Sequence, residues 1–108
     1  MKMRDFSIDD FATAMLRSDC TLAGAGEYVN ANLRQGHFSR VHSGGKSFWF
    51  SVSNADHTLA PDEVATAITH RNREICRQGY YYNKKGARGF EATVRSGDHC
   101  FMLGAHDI

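Results

Sequence analysis

Proline is almost missing from this chain: Pro61 is the only one in 108 residues, which excludes a proline-rich linker or an extended polyproline segment. Cysteine is scarce too. The three thiols, Cys20, Cys76 and Cys100, are an odd number with no CxxC spacing, so neither a disulfide framework nor a zinc ribbon is expected, and reduced thiols suit a cytoplasmic setting. No apolar run approaches the roughly 20 residues that a membrane-spanning helix needs. The opening MKMRDFSIDDF carries acidic residues where a secretory leader is apolar, so no membrane association is expected. Charge of one sign is also lacking: the formal net charge is +1, which argues against a protein built to coat nucleic acid.

What is present is enough for a core. Hydrophobic residues make up 42% and aromatics 11% of the chain, a composition that supports one globular domain over residues 1–108 without a metal or cofactor. The charge is unevenly spread, with a net of −2 over residues 1–63 and +3 over residues 64–108. No internal repeat, low-complexity tract or linker is apparent along the sequence.

Ser7 followed by Asp10, with Phe6 and Phe11 flanking, forms a capping and staple pattern that predicts a helix over about residues 8–18. Leu22, Ala25, Val29 and Leu33 recur at helical spacing up to Gly36, which predicts a second helix weakened by Gly24 and Gly26. From His37 the period shortens to two. HFSRVHS-GG-KSFWFSVSN reads as a hairpin turning at Gly44-Gly45, because two glycines tolerate the positive φ angles of a type I′ turn. With Ser43 opposite Lys46, Val41, Phe48, Phe50 and Val52 share the core face, while Phe38, Arg40 and Trp49 lie on the other face. Arg40 then stands across from Trp49, a geometry suited to a cation–π pair.

Pro61 at a first helical position, followed by Asp62 and Glu63, predicts a third helix over about residues 61–78, ending at Gly79, with His70, Arg73 and Arg77 on its outward stripe. The remainder alternates and is broken by two turn clusters, which predicts a three-stranded meander. The expected fold is α+β, with about five antiparallel strands covered mainly on one face by three helices, in the order ααββαβββ. A dinucleotide-binding unit is disfavoured for want of a strand–helix glycine fingerprint.

No motif carries chemistry on its own. His99 and Cys100 are adjacent, and His37 and His42 are five apart, so on strands each pair points to opposite faces and makes no metal or acid–base site. Glu91 and Arg95 do share a strand face, and with His99 or His106 they would supply the base, acid and cation of a metal-independent nuclease. The same pattern is also the ordinary outer surface of a half-buried sheet. No catalytic residue is therefore assigned.

Two binding surfaces are expected instead. Arg71, Arg73, Arg77, Lys84, Lys85 and Arg88 meet a single acid, Glu74, with Tyr80, Tyr81 and Tyr82 among them. Cations and stackable rings of this kind, over residues 71–90, suit single-stranded nucleic acid. Phe38, Arg40 and Trp49 are the residue types that dominate protein interfaces. The leading expectation is a non-enzymatic regulator or inhibitor, of the kind that phages and mobile elements make, docking on a larger protein or nucleoprotein machine. Its binding residues would be Phe38, Arg40, Trp49, Arg73, Arg77, Lys84, Lys85 and Arg88. A single-stranded nucleic-acid binder and a small nuclease are the alternatives.

Overall fold

A computed structural model describes residues 6–29, 35–55, 57–82 and 84–106. Eight elements follow one another: α1 (Ile8–Met15), β1 (Thr21–Val29), β2 (Gln35–Ser43), β3 (Lys46–Ser53), α2 (Pro61–Ile68), β4 (Glu74–Tyr82), β5 (Arg88–Ser96) and β6 (His99–His106). The strands form one antiparallel six-stranded sheet in the order β1-β2-β3-β6-β5-β4.

Local sequence explains the first helix. Ser7 accepts the Asp10 amide at 3.3 Å while the Asp10 carboxylate accepts the Ser7 amide at 2.9 Å, so two otherwise orphaned donors are satisfied reciprocally. Ile8, Phe11, Ala12 and Met15 form its buried stripe and join Val64, Ala65 and Ile68 of α2. Both stripes rest on one side of the sheet, over Val41, Phe48, Phe50, Val52, Phe90, Ala92, Val94, Phe101, Leu103 and Ala105. Phe11 meets Phe48 edge-on at 5.5 Å between centroids, and Phe6 packs on Phe90 at 5.2 Å. No helix among the described residues is long and apolar enough to cross a membrane.

The hairpin has the expected register: Ser43 opposes Lys46, Val41 opposes Phe48, Arg40 opposes Trp49 and Phe38 opposes Ser51. Gly44 and Gly45 both take positive φ, 60° and 78°, as a type I′ turn requires. The meander is also present. Two of the three expected helices need correction. Residues 21–29 pair with β2 as a strand, because Gly24 and Gly26 each weaken a helix by about 1 kcal/mol and Leu22 and Val29 are exposed, so the helical spacing marks no buried stripe. Leu33 lies outside the described residues. The third helix stops at Ile68, where the Thr69 hydroxyl donates to the Ala65 carbonyl at 2.7 Å. Its expected second half is β4, so Arg73 and Arg77 share no helix stripe and Gly79 lies within a strand. The tally is thus six strands and two helices.

An internal repeat, not apparent in the sequence, governs the whole architecture. Each element of the first half recurs 53 residues later with the same bounds, Ile8–Met15 as Pro61–Ile68 and Lys46–Ser53 as His99–His106. Laid on residues 54–108 at that offset without a gap, residues 1–55 match at twelve positions, including Ala12/Ala65, Gly26/Gly79, Tyr28/Tyr81, Gly36/Gly89, Val41/Val94, Gly44/Gly97 and Phe48/Phe101. Equivalent β-bulges interrupt the edge strands between Leu22 and Gly24 and between Ile75 and Arg77. Such bulges hinder pairing of an exposed edge with another chain. Cut at the repeat boundary, residues 1–53 carry a net of +1 and residues 54–108 a net of 0. The two halves are therefore nearly equal in charge, and the excess of base over residues 64–108 is offset by the acids of residues 54–63.

Candidate functional site

Both helices lie on one side, so the opposite face of the sheet is open. Alternation from the buried positions assigns its residues. The register lays Gly24, Arg40, Trp49, Gly104 and Glu91 side by side in one cross-strand row, and Gly26, Phe38, Ser51, Met102, Thr93 and Arg77 in the next. Phe38 and Met102 are 43% and 49% exposed, which makes them the large apolar side chains offered to solvent at the middle of this face.

Glycine lets the aromatic rings lie down on the sheet. A Cβ at Gly104 would stand 2.0 Å from the Trp49 indole, and one at Gly89 would stand 2.1 Å from the Tyr81 ring. Tyr28 lies over Gly36, and Phe38 over Gly26, in the same way. Trp49 is therefore half-buried against backbone, without any helix above it. Tyr81 also reaches across β5 to share a 3.0 Å hydrogen bond with Nδ1 of His106.

The expected binding residues divide among four places. Phe38, Arg40, Trp49 and Arg77 meet on the open face, where a hollow of about 70 Å³ is lined by Trp49, Arg77, Glu91, Thr93 and Met102 among others. Lys84 and Lys85 occupy the exposed β4–β5 turn. Arg88 lies on the helix side of the sheet with its guanidinium 4.0 Å from the Tyr80 ring centroid, while Arg73 sits in the loop before β4 and donates to the His70 carbonyl at 3.3 Å. The basic segment is thus not one patch. The cation–π pair that the structure records is Arg88 over Tyr80, and Arg40 and Trp49 are cross-strand neighbours. Met102 and Glu91 are contributors that sequence reasoning left out of the surface; the registers of β3 on β6 and of β6 on β5 bring them there, and no local signal encodes either.

The nuclease residues do not converge. Along β5, Glu91, Thr93 and Arg95 occupy successive positions on the open face, which puts Glu91 and Arg95 roughly 13 Å apart along the strand at about 3.3 Å per residue. Arg95 faces Glu74 at 3.7 Å. His99 is turned away to the Ser53 carbonyl at 3.0 Å, and His106 bonds Tyr81 at the far end of the strand. Arg95 and His99 do line a polar depression of about 580 Å³ with Asn54, Asp98 and Cys100, but Glu91 is not among its residues. Among the described residues no three His, Cys, Asp or Glu side chains are placed to hold a metal ion.

Two thiol and carboxyl environments are distinctive. The hydrogen bond from Arg17 to Asp19, 2.8 Å long, together with its charge holds the Asp19 carboxyl below the usual range. Burial, and then the Asp19 charge, pushes the Cys20 thiol up, which keeps it protonated and a poor nucleophile. What the fold and surface define is an α+β module with one helix-covered face and one open, aromatic face. Compared with protein-family models, with curated proteins and with solved structures, the chain matches none.

Proposed function

We propose that this chain is a non-enzymatic, intracellular regulator or inhibitor that docks on a larger protein or nucleoprotein machine through the open face of its sheet. The observation that carries this reading is the meeting of Trp49 and Arg77, from opposite halves of the chain, around one hollow beside exposed Met102. Buried-on-one-side aromatics with a flanking arginine are the residues that contribute most to protein interfaces, and exposed Phe38 and Met102 stand on the same face as Trp49. The favoured partner offers apolar side chains to Phe38, Trp49 and Met102 and carboxylates to Arg40 and Arg77.

The repeat supplies the test variant. Phe38→Glu, Arg40→Thr and Trp49→Met together install the residues found at the equivalent positions 91, 93 and 102, so the backbone already accommodates each type. Affinity capture from host extract should retain a partner on the wild-type chain and lose it with the triple variant, with both proteins showing the same cooperative melt. Equal retention by the two would remove the open face as the docking surface.

A second reading, a single-stranded nucleic-acid binder, draws on the flat rings of Tyr28, Phe38, Trp49 and Tyr81 against their glycines, since flat rings stack on bases. Titration with single-stranded oligonucleotides at two salt concentrations separates the two. Nucleic-acid binding should weaken steeply with salt, whereas no binding at low salt leaves the protein-docking reading alone.

A further inference from the structure

The pairing of β3 with β6 is its own image under exchange of the two halves. Phe48↔Ala105 becomes Val52↔Phe101 when each residue is moved by the 53-residue offset, Trp49↔Gly104 becomes Ser51↔Met102, and Phe50↔Leu103 maps onto itself. That property belongs to isologous interfaces, in which residue i of one partner meets residue j of the other and the reverse holds a little further on. A pseudo-two-fold axis therefore passes through the Phe50–Leu103 pair. The two helices pack against each other across the same line.

The seam is also built like a subunit interface in its chemistry. Phe48, Phe50 and Val52 face Phe101, Leu103 and Ala105, and all six are at most 2% exposed. Apart from these layers, the halves are joined covalently by residues 54–60, in which the described positions adopt no helix or strand.

We infer that the β3–β6 and α1–α2 seam is an association surface between two copies of one αβββ unit, now fused in a single chain, and that it accepts as partner the opposite half of a second copy of this chain. Exchange leaves every seam contact unchanged, because β3 of one copy meets β6 of the other in the register it already uses. The joining segment decides between the two outcomes, since a short hinge favours exchange over closure within one chain. The open-face site then straddles a former subunit boundary, with Trp49 and Met102 as its two-fold mates.

Two full-length variants test this. Deleting residues 56–58 leaves four residues between Ser53 and Pro61. The expected product is a dimer by light scattering, at twice the 12.1 kDa of one chain, with the wild-type far-UV spectrum. A folded monomer overturns the inference. The second variant decides independently of how the deletion folds: Phe50→Leu and Leu103→Phe should each lower the melting temperature, and the double exchange should return it to within about 3 °C of wild type, because the axis makes the two positions one environment. A double variant as unstable as the sum of the single ones overturns the two-fold relation.

Discussion

Where the first half of the chain places Ser7, His37, Phe38, Arg40 and Trp49, the second places Ala60, Phe90, Glu91, Thr93 and Met102, on the same succession of helix and three strands. Several of the identities between the halves fall at positions that geometry governs. Gly44 and Gly97 turn the hairpins with positive φ, Gly36 and Gly89 lie beneath Tyr28 and Tyr81, and Val41, Val94, Phe48 and Phe101 fill the core. The halves differ at the other 43 of 55 aligned positions, in core and surface alike, and among these are the open-face pairs Phe38/Glu91, Arg40/Thr93 and Trp49/Met102. A backbone plan of this kind constrains turns and packing layers tightly and leaves solvent-facing positions free to specialise, which is where a recognition surface is expected.

Substitution at equivalent sites tests how far the two halves behave alike. The largest effect belongs to the paired core rings: Phe48→Ala and Phe101→Ala should each cost about 3–5 kcal/mol, measured by denaturant unfolding. Similar losses at the two positions are expected from one shared architecture, and a near-neutral result at either would show that the halves do not bear load alike.

His37 is next. It is 4% exposed, and neither ring nitrogen has a hydrogen-bond partner among the described residues, whereas the equivalent Phe90 fills its site with carbon. An unpaired buried polar group costs about 1–3 kcal/mol. His37→Phe should therefore raise the melting temperature by several degrees, and a fall would mean that the first half has no room for the ring the second half holds.

A smaller gain is expected at the second helix start. Glu63 accepts the Ala60 amide at 2.9 Å, but Ala60 has no side-chain oxygen to return the bond as Ser7 does for Asp10. Ala60→Ser should complete the reciprocal cap and add about 0.5–1 kcal/mol, detectable as a shift in denaturant midpoint without a change in slope.

The smallest effect concerns Asp19, whose equivalent, Asn72, cannot ionise. Its carboxyl is held low first by the Arg17 hydrogen bond. A folded-state value below the unfolded one contributes stability above the ordinary carboxyl range, and the contribution is lost as pH falls through the folded value. Asp19→Asn should thus lower the melting temperature slightly near neutrality and leave it unchanged in acid. A difference that persisted at low pH would assign the effect to something other than charge.

Residues close in sequence determined much of this protein. The Ser7–Asp10 cap, the Gly44-Gly45 turn, the hairpin register and the final meander follow from contacts a few residues apart, where capping and turn chemistry act directly. The shared face of Phe38, Arg40 and Trp49 followed from the same alternation, whereas the absence of a helix over that face came only from the placement of α1 and α2. Residues 21–29 and 74–78 were different: apolar spacing favoured helix, and only pairing with β2 and β5 made them strands, because strand propensity depends on the neighbour that completes the ladder. The tertiary structure alone brought Arg77 and Met102 to Trp49 and exposed the repeat. Twelve scattered matches carry no local signal, while two halves folded on one plan meet across a two-fold seam that no stretch of sequence can display by itself.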